Sequence, residues 1–188
     1  APENDNKYYS VNMSVRYRFS NRFTLTLDGT RESEENQLGY AFLREANEEP
    51  IVAFRDNTSV TSIVSGIYNF TSRINLTLRA RHYWNKVLYK EFFNINEKGL
   101  RVDRPFIPNR NENFNIFNID AFFTWDFRLG SRLILGWKNW LGDYEAVDRQ
   151  YKSYYNNLRQ TFDLRHGNEA TLKFIYFLDY NQLRKKKH

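Results

Sequence analysis

IYNFTSRINLTL, residues 67–78, decides the fold. Tyr68 and Phe70 alternate with Asn69 on one side of Thr71–Ser72, and Ile74, Leu76 and Leu78 alternate with Asn75 and Thr77 on the other. Period-two alternation on both sides of a short polar break is the signature of a β-hairpin. The pattern recurs as VRYRFSNRFTLTL at 15–27 and FFTWDFRLGSRLILGW at 122–137. Each first strand closes on an aromatic pair: Tyr17 and Phe19, Tyr68 and Phe70, or Trp125 and Phe127. An arginine follows each turn (Arg22, Arg73, Arg132), and Phe23 adds a further ring after the first. The tight turns lie at 20–21, 71–72 and 129–131, and between them run long connections at 34–57, 90–112 and 144–168. Short turns at one end, long loops at the other and aromatics beside the short turns describe an up-and-down barrel that crosses a membrane.

Composition fits that reading. The chain has 188 residues, 27% of them charged, and a mean hydropathy of −0.74. Its apolar runs are a few residues long, as in IVAF at 51–54, too short for a spanning helix. Yet 18% of residues are aromatic, which a disordered chain would not carry. A membrane barrel reconciles the two, because only alternate residues of each strand face lipid. No cysteine is present, so neither a disulfide nor a thiolate metal site is available, and no cofactor is expected. The +6 net charge comes partly from Arg184–Lys187, read as a solvated tail. Nucleic acid is not an expected partner, since no basic face joins a reading element.

Seven spans carry the alternation: 10–19, 22–33, 58–70, 74–85, 115–128, 132–143 and 170–180. The third is the weakest, because Ile63 and Ile67 fall on its polar side. About ten residues cross a bilayer when tilted. The polar sides hold Arg16, Arg18, Asp28, Arg79, Arg81, Asp120, Asp126, Lys138, Lys173 and Asp179. A Lys or Arg on the lipid side near midplane costs about 2–4 kcal/mol, so these charges are assigned to the lumen, as ion pairs and hydrated groups. The aromatic belt beside the short turns comprises Tyr17, Phe19, Phe23, Tyr68, Phe70, Trp125 and Phe127.

In bacterial barrels short turns are periplasmic and long loops extracellular. Strands 10–19 and 170–180 then both descend, leaving 184–188 in the periplasm. Seven strands with both ends descending cannot close antiparallel, so the expected fold is all-β: the C-terminal portion of one antiparallel up-and-down transmembrane β-barrel, completed by upstream strands. Residues 1–7 are expected to be disordered or an upstream connection. Of the connections, 39–56 reads as a hairpin projecting past the bilayer and turning near Asn47–Pro50, 101–113 as irregular, and 151–164 as holding a short helix. Tyr151, Tyr154 and Tyr155 either stack on sugars or pack the loop bundle, the commoner role of aromatics.

Catalytic signals are thin. His82, His166 and His188 form no metal-ligand spacing, and His82 near Trp84 reads as an interfacial belt residue. Neither a nucleophile elbow nor a phosphate loop is present. Glu34–Glu35 and Glu48–Glu49 read as solubilising loop carboxylates, and the chain is expected not to be an enzyme. LKFIYFLDY, with Leu172, Phe174, Tyr176, Leu178 and Tyr180 on one side, has the character of a C-terminal signal read by barrel-assembly machinery.

Three segments carry a resemblance: DNTSVTSIVSGIYNFTSRINLTLRARHYWNKV (56–87), NENFNIFNIDAFFTWDFRLGSRLILGWKN (111–139) and LKFIYFLDYNQL (172–183). In them the chain resembles the C-terminal barrel region of Bacteroidota outer-membrane proteins that carry an N-terminal family-9-like carbohydrate-binding module. The resemblance implies an outer-membrane location and a sugar-binding module upstream, and it supplies no catalytic residues. The role it implies is anchoring or translocation linked to surface glycan binding or uptake. Its partners would be outer-membrane lipid, the assembly machinery, a glycan and other outer-membrane proteins. Two alternatives stay open: a soluble β-sandwich carbohydrate-binding module, whose inner faces would form one dry core, and a surface glycan hydrolase using loop carboxylates.

Overall fold

A computed structural model describes residues 6–41, 50–107, 111–142 and 153–179. Its elements are β1 (Lys7–Arg18), β2 (Phe23–Tyr40), β3 (Ile51–Thr71), β4 (Ile74–Ile95), β5 (Arg101–Arg104), β6 (Glu112–Arg128), β7 (Ser131–Gly142), α1 (Tyr154–Thr161) and β8 (His166–Ile175). Hairpin follows hairpin, so the sheet runs β1-β2-β3-β4-β6-β7-β8, with β5 paired to β4 off this path. Every pairing is antiparallel. The chain is all-β, a single up-and-down sheet that is open between β1 and β8. A second sheet, which a sandwich needs, is absent among the described residues.

The three tight turns stand where the alternation breaks. At the first, Ser20 Oγ accepts from the backbone N–H groups of Arg22 (3.1 Å) and Phe23 (3.0 Å). At the second, Thr71 Oγ1 accepts from Arg73 N–H at 3.1 Å. A short polar side chain thus satisfies backbone donors that the ladder cannot reach.

The strands run further than the alternation marks. β2, β3 and β4 hold 18, 21 and 22 residues, about twice what a tilted crossing requires. Residues 39–40 and 51–56 are strand, as the hairpin expected at 39–56 requires, and 34–38 and 90–95, expected to be loop, are strand as well. Backbone pairing continues wherever a partner strand continues, whereas alternation fades once both faces meet the same solvent. The tip expected near Asn47–Pro50 lies outside the described residues. β5 puts a short strand into a stretch read as irregular, and β8 ends at Ile175, not near 180. The short helix expected in 151–164 is α1.

These extensions carry their own core, in which Ala41, Ile51, Ala53, Val87, Tyr89 and Phe92 are buried with Ile107 against them. Burial, then the Glu112 carboxylate, pushes the Tyr89 phenol up to about 12. The β2 extension bends at a bulge between Glu34 and Gln37. Asn36 sits there at φ 56°, its N–H donating to Asp56 at 3.0 Å. Lys90 Nζ bonds both the Asn36 amide oxygen and the Asp56 carboxylate at 2.7 Å. Asn tolerates the left-handed region better than most residues.

Candidate functional site

Directly paired residues of an antiparallel sheet share a face, so the register sorts the whole sheet into an apolar face and a polar face. One polar row reads Arg16, Thr26, Ser65, Arg79, Asp120, Lys138, Glu169. The next reads Ser14, Asp28, Ile63, Arg81, Asn118, Trp140, Gly167. Arg18 and Lys173 follow in rows nearer the tight turns. Eight of the charges assigned to the lumen therefore lie on one face. Asp126 stands at the β6–β7 turn, where its carboxylate takes a two-pronged grip from Arg132, at 2.6 and 3.1 Å. Asp179 follows the end of β8 and belongs to no strand.

These charges are not closed into the expected ion-pair network. Asp120 is flanked in register by Arg79 and Lys138, yet none of the three side chains makes a hydrogen bond or ion pair among the described residues. Arg81 reaches Asn118, whose amide oxygen accepts from Nη2 at 2.9 Å when the amide is turned to face it.

Beside Arg81 the polar face holds a cleft of about 560 Å³, lined by Thr61, Arg81, Tyr83, Ile116, Asn118 and Trp140 among others. Trp140 is the unforeseen member. Its indole lies against Gly167, where any side chain would collide with the ring, and it remains 48% exposed. Its even number, shared with Gly136 and Lys138, was the available signal: an aromatic at polar parity. A half-exposed indole beside a guanidinium, an amide and a phenol is an arrangement able to stack a ring and hold its polar substituents.

The aromatics beside the short turns share the apolar face. Tyr17, Phe19, Phe23, Tyr68 and Phe70 form a continuous chain of rings with centroids 4.6–6.3 Å apart. Trp125 and Phe127 form a second cluster that takes in Phe174 and Tyr176, with Phe127 stacked on Phe174 at 5.4 Å. Of the proposed C-terminal signal, Leu172 and Phe174 lie on β8 and pair with Leu135 and Leu133. Tyr176 and Leu178 follow its end, and Tyr180 lies outside the described residues. Phe177 N–H donates to the buried Ser131 Oγ at 3.0 Å, tying this segment to the β6–β7 turn.

From the row of Ile74 to the row of His82, the apolar face bears no Asp, Glu, Lys or Arg among the described residues. Charge returns at Arg31 and Lys86. There α1 packs down, capped by Ser153. Asn157, fully buried, accepts at Oδ1 from Asn113 (2.7 Å) and Asn115 (2.9 Å). Trp84 Nε1 donates to Asn113 at 2.6 Å, and Tyr154 bonds His82 Nδ1 at 3.1 Å and Ser62 at 2.9 Å. His82 is thus a buried residue beneath α1, at 2% exposure, not the interfacial residue expected. Tyr154 packs, as aromatics more often do.

Glu34 is occupied by Asn6 and Gln37, and Glu48 and Glu49 lie outside the described residues. No group of His, Asp or Glu among the described residues could hold a metal, and no helix among them is long and apolar enough to cross a membrane. No curated protein and no solved structure matches the chain. The model of one family, described as a domain of unknown function (DUF5916), matches residues 1–187, and the chain belongs to that family.

Proposed function

We propose that the chain is a segment of an outer-membrane β-barrel, non-enzymatic, serving anchoring or translocation at the cell surface. The observation that carries this reading is a mismatch between two directions. Val15, Leu27, Val64, Ala80 and Ile119 form one apolar row, which continues across the sheet into Asn139 and Asn168. On β1 the apolar run Val11–Phe19 is centred on that row. On β8 and its continuation the run Ala170–Leu178 is centred near Phe174, six residues further along than Asn168. At roughly 3.4 Å per residue and 4.8 Å per strand over six steps, the apolar band crosses the strands at about 35° from the perpendicular. Strands of membrane barrels tilt by about 35–45°. A flat apolar band oblique to the ladder is what a bilayer demands of tilted strands; a soluble sheet has no reason to drift so.

The band is also naked. Met13 is 63% exposed and Leu172 69%, and nothing in the described chain covers them. Monomeric soluble proteins rarely leave so extended an apolar face to water. β1 and β8 run the same way, so an antiparallel closure needs an odd number of further strands between them, and we assign those to sequence upstream. With tight turns periplasmic, the C-terminus lies in the periplasm, and α1 rests on the outer face above the lipid. The link to surface glycan through an upstream binding module follows from the resemblance to the Bacteroidota proteins, and the cleft beside Trp140 suits it.

Extraction tests the proposal. The full-length protein should stay in the membrane fraction through a carbonate wash, dissolve in detergent, and migrate faster on gels unboiled than boiled. Release into the soluble fraction with no heat-dependent shift would refute it.

A further inference from the structure

We propose that the polar wall is a binding surface for anions that carry a ring. Arg79, Arg81 and Lys138 form its charged centre and Trp140 its stacking plate. The inference rests on the barrel reading for its enclosure and deepens it by naming a solute class.

Charge balance comes first. From the Asp28 row to the tight turns, strand positions on the polar face carry Arg16, Arg18, Arg79, Arg81, Lys138 and Lys173 against Asp28, Asp120 and Glu169. Arg22, Arg73 and Arg128 add positive charge at the turns, while Arg132 is neutralised by Asp126. Availability comes second. Asp28 accepts from Ser14 at 2.6 Å. Nearer the long connections, Glu32 takes Tyr8 and Ser59, and Glu112 takes Tyr89. Those carboxylates are served by neutral donors, so they leave the cations unclaimed. The side chains of Arg16, Arg79, Lys138 and Lys173 make no hydrogen bond or ion pair among the described residues.

Geometry comes third. Arg79 and Lys138 flank Asp120 in one row, and Arg81 stands in the next row on the strand of Arg79, two strands from Trp140. The cleft of about 560 Å³ opens between Arg81 and Trp140, with room for a ring laid on the indole. Inside a narrow low-dielectric wall such an excess of one sign focuses potential and concentrates counter-ions, and rings of Arg or Lys are how anion pores select. A carboxylate or sulfonate meets the guanidinium groups, and the ring that carries it meets Trp140. A sugar acid and an aromatic acid share this chemistry.

The test uses the folded full-length protein in detergent micelles and follows tryptophan fluorescence. Three probes are titrated: trigalacturonate, pyrene trisulfonate and the neutral maltotriose. Either anion should bind in a salt-sensitive manner, with maltotriose at least about tenfold weaker, the low end of electrostatic concentration effects. If one anion alone binds, it identifies the ring. The triple variant Arg79→Gln, Arg81→Gln, Lys138→Gln should lose about tenfold in affinity, while Arg31→Gln, on the opposite face, should bind as wild type. Failure of both anions to bind, maltotriose binding equally well, or a triple variant with unchanged affinity would overturn the inference. Heat-dependent gel mobility, scored on the same samples, reports separately on the barrel.

Discussion

Val15 on β1 and Asn168 on β8 stand in one transverse row, at opposite edges of the sheet. Val15 is the centre of its strand's apolar run, whereas Asn168 lies beyond the apolar run of its own and accepts from Trp137 Nε1 at 3.2 Å and Asn139 at 3.0 Å. The same ladder position is therefore apolar at one edge and polar at the other. The proposed barrel accounts for this offset by tilt of the strands against a planar bilayer.

Leu78 and Thr77 are neighbours on β4 but face opposite ways. Leu78→Arg places a cation in the middle of the band and should cost about 2–4 kcal/mol. Thr77→Arg, on the wall, should stay within about 0.5 kcal/mol of wild type. Urea midpoints of the refolded protein in micelles or liposomes measure both. Equal costs would mean that the two faces meet the same solvent.

Gly136 is covered by Phe122, whose ring atoms would stand 3.0 and 3.2 Å from an added Cβ, and by the Thr171 hydroxyl. A ring laid over a strand glycine protects its backbone and pins register. Gly136→Ala should cost about 1–3 kcal/mol by overpacking. A Cβ on Gly29 would meet nothing within 4 Å, so Gly29→Ala should be neutral or stabilising by up to about 1 kcal/mol. The same urea midpoints decide.

Asn157→Ala removes the acceptor shared by Asn113 and Asn115, and a buried donor left unpaired costs about 1–3 kcal/mol. α1 should detach while the sheet holds. Limited proteolysis should then cut within 153–165 in the variant and not in wild type, with heat-dependent gel mobility preserved. A variant as resistant as wild type would show that the asparagine cluster does not hold the helix.

The hairpins, their turns and the two faces were legible because each rests on local chemistry: Ser20 and Thr71 at turns, and strict alternation as at 74–80. Three features were not. The continuation of strand through 34–38 and 90–95 was hidden because the alternation lapses there. The docking of α1 was hidden because Asn157 meets Asn113 and Asn115 across some forty residues. Register between strands was the third, and the oblique band shows only when Asn168 is seen opposite Val15. Trp140 was not picked out, although its parity with Gly136 and Lys138 was there to be read; its contact with Gly167 required the register.

Tyr176 stacks on Phe127 and Phe174, and its hydroxyl accepts from Arg128 Nη1 at 2.9 Å. Substituting Tyr176 and Tyr180 together by alanine should lower the amount of folded barrel in cells, while the purified chain refolds in detergent. Wild-type levels of folded protein would remove the C-terminal segment from any role in assembly.

Depth measured by spin labels tests the central claim most directly. The chain has no cysteine, so single cysteines at Val15, Ile119, Asn168 and Phe174 in the full-length protein, with any cysteine outside this chain replaced by serine, can carry nitroxides in liposomes. Oxygen and nickel-chelate accessibility then report depth. Val15, Ile119 and Phe174 should all report lipid, with Val15 and Phe174 at matching depths although the ladder sets them six residues apart, and Asn168 should be aqueous. Equal depths for Val15 and Asn168, or water at all four, would contradict a tilted sheet in a bilayer.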